Sequence, residues 1–232
     1  GWQAVVNFTL GGVGAGLYGM AVLAAGFERT PAMAFYSWLA PLLVLAGFVA
    51  VAGEAGRPLR GPRVLWKVRT SWMSRELWIG AVFVLLIAAD IAFPLRLYRA
   101  QALAAAVLLA LAQGFILRCS RGIAAWDVAI MPWLFLLSAA ISGSGAYLLL
   151  EVLAGRSVPP SVLAASALLL ILALWAGRVY VRTPAGRAFT EATASLRDGI
   201  AGRVVAGLGG VLPLGALAVA LLAPAAAGPA AV

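Results

Sequence analysis

The chain has 232 residues, 64% hydrophobic and only 11% charged, with a formal net charge of +9 and a mean hydropathy of +1.02. That balance excludes an ordinary soluble globular domain and indicates an integral membrane protein. Histidine is absent and cysteine occurs once, which excludes, within this chain, haem on axial imidazoles, a four-cysteine iron–sulfur cluster, a histidine-bound metal and a Ser/His/Asp or Cys/His triad.

Apolar runs of roughly 20 residues recur, each long enough to cross a hydrocarbon core of about 30 Å as a helix, while the short alternating segments of a barrel are missing. The expected fold is all-α, a polytopic transmembrane helical bundle forming a single domain over residues 1–232. Seven spans are predicted, at about 4–26, 32–53, 76–93, 100–118, 127–150, 160–181 and 204–224, each limited by charge, Gly or Pro. The first run is too long for a cleavable signal peptide and has no basic flank, so it reads as a permanent span. The chain opens on Gly1 rather than Met and closes on AAAGPAAV; a longer parent polypeptide is expected, with room for an eighth span after Val232.

In the first span Gly12 and Gly16, with Gly19 beyond, place small residues on one helix face, a spacing that lets backbones approach closely. Packing is their main expected role, and room for a ligand beside the same face is a secondary one. The second loop then concentrates charge: Arg57, Arg60, Arg63, Lys67, Arg69 and Arg75 fall between two apolar runs. With Arg118 and Arg121 in the fourth loop and Arg178, Arg182, Arg187, Arg197 and Arg203 in the sixth, thirteen of the seventeen basic residues lie on one side. The positive-inside rule makes that side cytoplasmic. Topology and anionic headgroups account for the net charge, so no nucleic-acid partner is expected. Two connectors, near 59–75 and 184–202, read as amphipathic.

Glu54 and Glu76 stand at helix ends beside the basic connector. A carboxylate there is either an interfacial charge, with Arg57 for Glu54 and with Arg75 and the helix macrodipole for Glu76, or a group that carries protons. Asp90 reads as an interfacial aspartate near Arg96 or Arg99, and Asp127 and Glu151 as interfacial charges bracketing the fifth span. Trp66 and Trp72 suit the membrane interface, and Cys119 a small packed or interfacial position.

The segments Glu54-Ala55-Gly56-Arg57-Pro58 and Ser71-Trp72-Met73-Ser74-Arg75-Glu76, with the glycine-rich Gly11-Gly12-Val13-Gly14-Ala15-Gly16-Leu17, resemble the membrane-anchor subunits of polysulfide and dimethyl sulfoxide reductases, the NrfD-like proteins. The Ser-Trp-x-Ser-Arg-Glu element carries most of the resemblance, and Glu54 stands where the family usually has its quinone-site histidine.

The resemblance implies a membrane-anchor and quinone-reactive subunit of a three-part complex in the bacterial cytoplasmic membrane. A catalytic partner would hold bis-molybdopterin guanine dinucleotide with molybdenum or tungsten, and a ferredoxin-like partner would carry [4Fe-4S] clusters. Menaquinone or ubiquinone would bind the anchor, which has no haem. Glu54, Arg57, Trp72, Arg75, Glu76, Gly12 and Gly16 are its implied quinone-binding or proton-transfer residues, and Arg60, Arg63, Lys67 and Arg69 its docking residues. With the second loop inside the cell, a cytoplasmic substrate such as a phenylacetyl-CoA-like compound or sulfite would reduce quinone. Two other readings stand beside this one. The chain is a purely structural anchor, or a small transporter in which Pro41, Pro132 and Pro213 break helices.

Overall fold

A computed structural model describes residues 1–54, 66–120 and 122–222. Among the described residues eight helices follow one another: α1 (Trp2–Ala24), α2 (Pro31–Glu54), α3 (Trp72–Ala92), α4 (Arg96–Arg118), α5 (Met131–Leu153), α6 (Pro160–Val181), α7 (Arg187–Arg197) and α8 (Ile200–Leu222). No strand occurs among the described residues. Six of the helices, α1, α2, α4, α5, α6 and α8, are long and apolar enough to cross a membrane. The expected third span is α3, 21 residues that carry Arg75, Glu76 and Asp90 and pack between α2 and α4. The chain is a polytopic helical membrane protein.

Local chemistry explains the helix limits. Ser71 caps α3 by accepting the Ser74 backbone N–H at 3.4 Å, so the helix begins a turn before the predicted start. Pro132 sits in the first turn of α5, where no intrahelical N–H is needed. That helix starts at Met131 rather than near 127. The connector expected near 184–202 contains α7, whose Phe189 and Thr193 are buried while Arg187 and Glu191 pair at the surface, 2.8 Å apart. The connector near 59–75 lies largely outside the described residues.

Helix α1 is central, packing against α2, α4 and α5, while α8 packs mainly against α6 and α7. The core comprises Leu17, Tyr18 and Val22 of α1, Tyr36, Ala40 and Val44 of α2, Phe83 of α3 and Leu109 of α4, all fully buried. Outside it, Trp38, Leu85, Trp133, Leu172 and Trp175 are exposed. A water-soluble surface would not tolerate so many large apolar groups; in a bilayer they face lipid at little cost.

A close backbone approach joins α1 to α5 at Gly16 and Gly143. A Cβ on Gly16 would lie 1.8 Å from the Ala139 carbonyl oxygen, and one on Gly143 would lie 2.0 Å from the Gly16 carbonyl carbon. Only glycine allows that contact.

Candidate functional site

Consecutive long helices alternate in direction, so the start of α1, the start of α3, the end of α4 and the start of α5 share one end of the bundle. Three polar side chains meet inside that end. Asn7 of α1 donates through Nδ2 to Glu76 Oε1 at 2.9 Å, and Gln113 of α4 donates through Nε2 to the same oxygen at 3.1 Å. Gln113 Nε2 also lies 3.5 Å from the Asn7 carbonyl oxygen. Asn7, Glu76 and Gln113 are 4%, 4% and 1% exposed, so Glu76 is buried in the bundle rather than an exposed interfacial charge.

No cation lies within ion-pairing distance of Glu76 among the described residues. Its neighbour Arg75 is engaged elsewhere: Nε donates to the Val68 carbonyl at 2.8 Å, Nη2 to the Arg69 carbonyl at 2.9 Å, and the guanidinium covers the Trp72 ring at 4.3 Å. Trp72 in turn stacks on Phe115 of α4, with centroids 4.2 Å apart and planes 9° from parallel. This Arg–Trp–Phe stack ties the start of α3 to the end of α4, two residues from Gln113, and thereby braces the Glu76–Gln113 contact. Burying a carboxylate with two neutral donors and no countercharge is costly, which makes Glu76 a candidate functional group.

Beside this cluster a cavity of about 440 Å³ opens between α1, α4 and α5. Phe8, Leu117, Trp126 and Phe135 form its apolar wall, Thr9 and Ser138 contribute hydroxyls, and Gln113 forms its inner polar end. Phe8 and Phe135 meet edge to face at 5.7 Å. The volume and largely apolar lining are of the kind that small-molecule sites have. Among the described residues Gln113 Oε1 and Asn7 Oδ1 are buried without a hydrogen-bond partner. Such orphaned acceptors are rare in folded interiors.

The residues expected from sequence distribute unevenly around this site. Gly12 lines the cavity, and Gly16 instead makes the close α1–α5 contact. Glu76 is in the cluster, with Trp72 and Arg75 in the stack beside it. Lys67 and Arg69 are exposed in the turn that leads into α3. Glu54 ends α2; its side chain, with Arg57, Arg60 and Arg63, lies outside what the structure describes. Asn7 and Gln113 were not foreseen. The signal was present in each case as a single amide within an otherwise apolar run, VVNFTL and LALAQGFIL.

The opposite end of the bundle carries two further polar centres. Asp90 accepts from Arg99 Nε at 3.0 Å on both oxygens, with both side chains almost fully buried. Arg99 also donates to the carbonyl of Phe27, and Arg29 donates to the Asp90 carbonyl at 3.2 Å. Asp90 therefore has the Arg99 partner named from sequence, in the interior rather than at the interface. Glu151 is also buried: Tyr36 donates to it, and Arg156 reaches both its oxygens at 2.7 and 2.9 Å. Between the two ends α3 buries Phe83 and Ile87.

Comparison with protein-family models, curated proteins and solved structures finds no match. Among the described residues there is also no group of three or more His, Cys, Asp or Glu side chains able to hold a metal ion. The site therefore rests on its own geometry: a buried carboxyl bridged by an amide to an apolar cavity.

Proposed function

We propose that this chain is the membrane-anchor, quinone-reactive subunit of an oxidoreductase complex, with its quinone site in the cavity between α1, α4 and α5. The observation that carries the proposal is Gln113, which both lines the cavity and hydrogen-bonds Glu76. Quinone redox chemistry moves two electrons and two protons, so its site needs an apolar slot, polar groups for the ring oxygens and a proton-carrying side chain. The apolar wall supplies the slot. The orphaned Gln113 Oε1 suits the hydroxyl of a quinol, and its amide N–H suits a carbonyl oxygen once turned from Glu76. Glu76, freed when the Gln113 amide turns to the ligand, is the carboxyl that would take or return a proton at the ring oxygen.

Electrons reach the site from iron–sulfur clusters of a partner, docked on the basic end of the bundle where Lys67 and Arg69 are exposed. A molybdopterin subunit beyond that partner would oxidise a cytoplasmic substrate. The resemblance of the Ser71–Glu76 element and the bias of basic residues to the same end support this arrangement.

Purification through this chain in mild detergent tests the proposal, with mass spectrometry of the copurifying subunits and analysis for metals and quinone. A cysteine-rich partner, iron, molybdenum or tungsten, and bound quinone are expected. A lone chain without metals or quinone would overturn the reading and favour transport.

A further inference from the structure

A second, larger recess lies on the basic end of the bundle, away from the Glu76 cavity. It occupies about 1350 Å³ between α6, α7 and α8. Arg178, Arg182, Arg197 and Arg203 line it, opposed by the single carboxylate Asp198, with Trp175 at its side. The rest of the wall is largely aliphatic. Arg197 donates to the Val181 carbonyl at 2.6 Å. Arg178, Arg182 and Arg203 make no side-chain hydrogen bond or ion pair among the described residues.

The three walls differ in character. Helix α7 is anchored by Phe189, which meets Tyr180 edge to face at 5.3 Å. At the turn into α8, Gly202 packs so tightly that a Cβ would lie 2.1 Å from the Leu196 carbonyl oxygen. That turn holds Arg197 and Arg203 at the mouth. Beyond it α8 stands off the core: only 6% of its apolar window is buried, against 56% for α1. The recess thus has a cationic mouth at the membrane surface and an apolar slot continuing into the bilayer region between α6 and α8.

We propose that this recess binds an anionic phospholipid, its phosphate held by the arginines and its acyl chains lying between α6 and α8. A soluble anion would use the mouth and leave the slot empty, and a zwitterionic lipid would fill the slot without matching a net excess of three positive charges at the mouth. Basic pockets between transmembrane helices on the cytoplasmic side recognise such headgroups. Arginine forks also pair bidentately with phosphate. The lipid supplies the packing that α8 lacks from the protein and fixes that helix against the bundle.

The test is native mass spectrometry of the full chain in detergent, titrated separately with phosphatidylglycerol, cardiolipin, phosphatidylcholine and inorganic phosphate. The anionic lipids are expected to remain bound under activation that strips phosphatidylcholine, and millimolar phosphate is expected not to displace them. Replacing both Arg178→Gln and Arg203→Gln should weaken phosphatidylglycerol binding by about thirtyfold, at roughly 1 kcal/mol per cation near a membrane surface. Arg118→Gln, on the same end but outside the recess, should leave it unchanged. Equal retention of phosphatidylcholine, full displacement by phosphate, or undiminished binding by the double variant would each overturn the proposal. The lipid selectivity and phosphate competition of the unaltered chain decide it even if the double variant misfolds.

Discussion

Gln113 Nε2 and Glu76 Oε1 lie 3.1 Å apart inside the bundle, and the room for that contact comes from Gly11. A Cβ on Gly11 would fall 2.3 Å from Gln113 Nε2. The missing side chain on α1 thus lets an amide on α4 reach a carboxyl on α3. Gly11→Ala should displace Gln113 and remove its bond to Glu76. Quinone binding, read by retention of quinone through purification, should fall by about tenfold, in line with roughly 1–1.5 kcal/mol for one hydrogen bond. Gly12→Ala makes a useful contrast: its Cβ would meet the Ala139 Cβ at an ordinary 3.6 Å. Helix packing should survive that change. A Gly11→Ala protein that keeps its quinone would show that Gln113 does not position the ligand.

Glu76→Gln separates proton transfer from packing. The amide oxygen of glutamine can still accept from Asn7 and Gln113, so thermal stability should change by no more than about 1 kcal/mol. Electron transfer from the partner subunits to quinone should fall by about 100-fold, the scale of losing a positioned acid–base group. Glu76→Leu removes the acceptor itself and strands two buried amide donors, at about 1–3 kcal/mol each. Thermal melting in detergent and quinone turnover should therefore both drop for Leu, and only turnover for Gln. Unimpaired turnover in the Gln variant would reduce the carboxyl to a structural group.

The sequence shows the helices more clearly than it shows their partners. Composition and run length suffice for α1, α2 and α6, whose expected and observed limits agree within about two residues. Starts set by capping were harder: Ser71 and Pro132 move the beginnings of α3 and α5 by about four residues each. The candidate site was half visible, because Glu76, Trp72 and Arg75 belong to one contiguous motif. Asn7 lies 69 positions from Glu76, and Gln113 lies 37 away. Only tertiary packing unites them, and no local pattern encodes it. The same holds for Tyr36 and Glu151, 115 positions apart, where a charge read as interfacial is buried because Tyr36 and Arg156 satisfy it.

Asp90 and Arg99 form a buried ion pair at the end opposite the candidate quinone site. Arg99→Leu leaves Asp90 as an uncompensated buried charge and releases the Phe27 carbonyl. Phe27 holds φ at 63°, a backbone conformation that is strained for a bulky residue and needs support. A loss of about 3–5 kcal/mol is expected, read as a large fall in melting temperature in detergent. The double replacement Asp90→Leu with Arg99→Leu should recover much of it by removing both charges. Equal destabilisation in the single and double variants would show that the Phe27 contact, not the ion pair, dominates.

Orientation can be read with the chain's own cysteine. Cys119 is free and exposed, next to the end of α4 and at the same end of the bundle as Lys67, Arg69, Arg178 and Arg203. Among the described residues nine cations, Lys67, Arg69, Arg75, Arg118, Arg178, Arg182, Arg187, Arg197 and Arg203, belong to that end, and the positive-inside rule predicts that it faces the cytoplasm. A membrane-impermeant maleimide should therefore leave Cys119 unlabelled in intact cells and label it in inverted vesicles, with Cys119→Ser as the blank. That orientation would put the Glu76 cavity and the proposed docking surface on the cytoplasmic side, where the proposed partners would reach them. Labelling from outside intact cells would reverse the topology. The basic loops would then be read as selected for an acidic partner rather than for orientation, and the electron donor would have to be sought outside the cytoplasm.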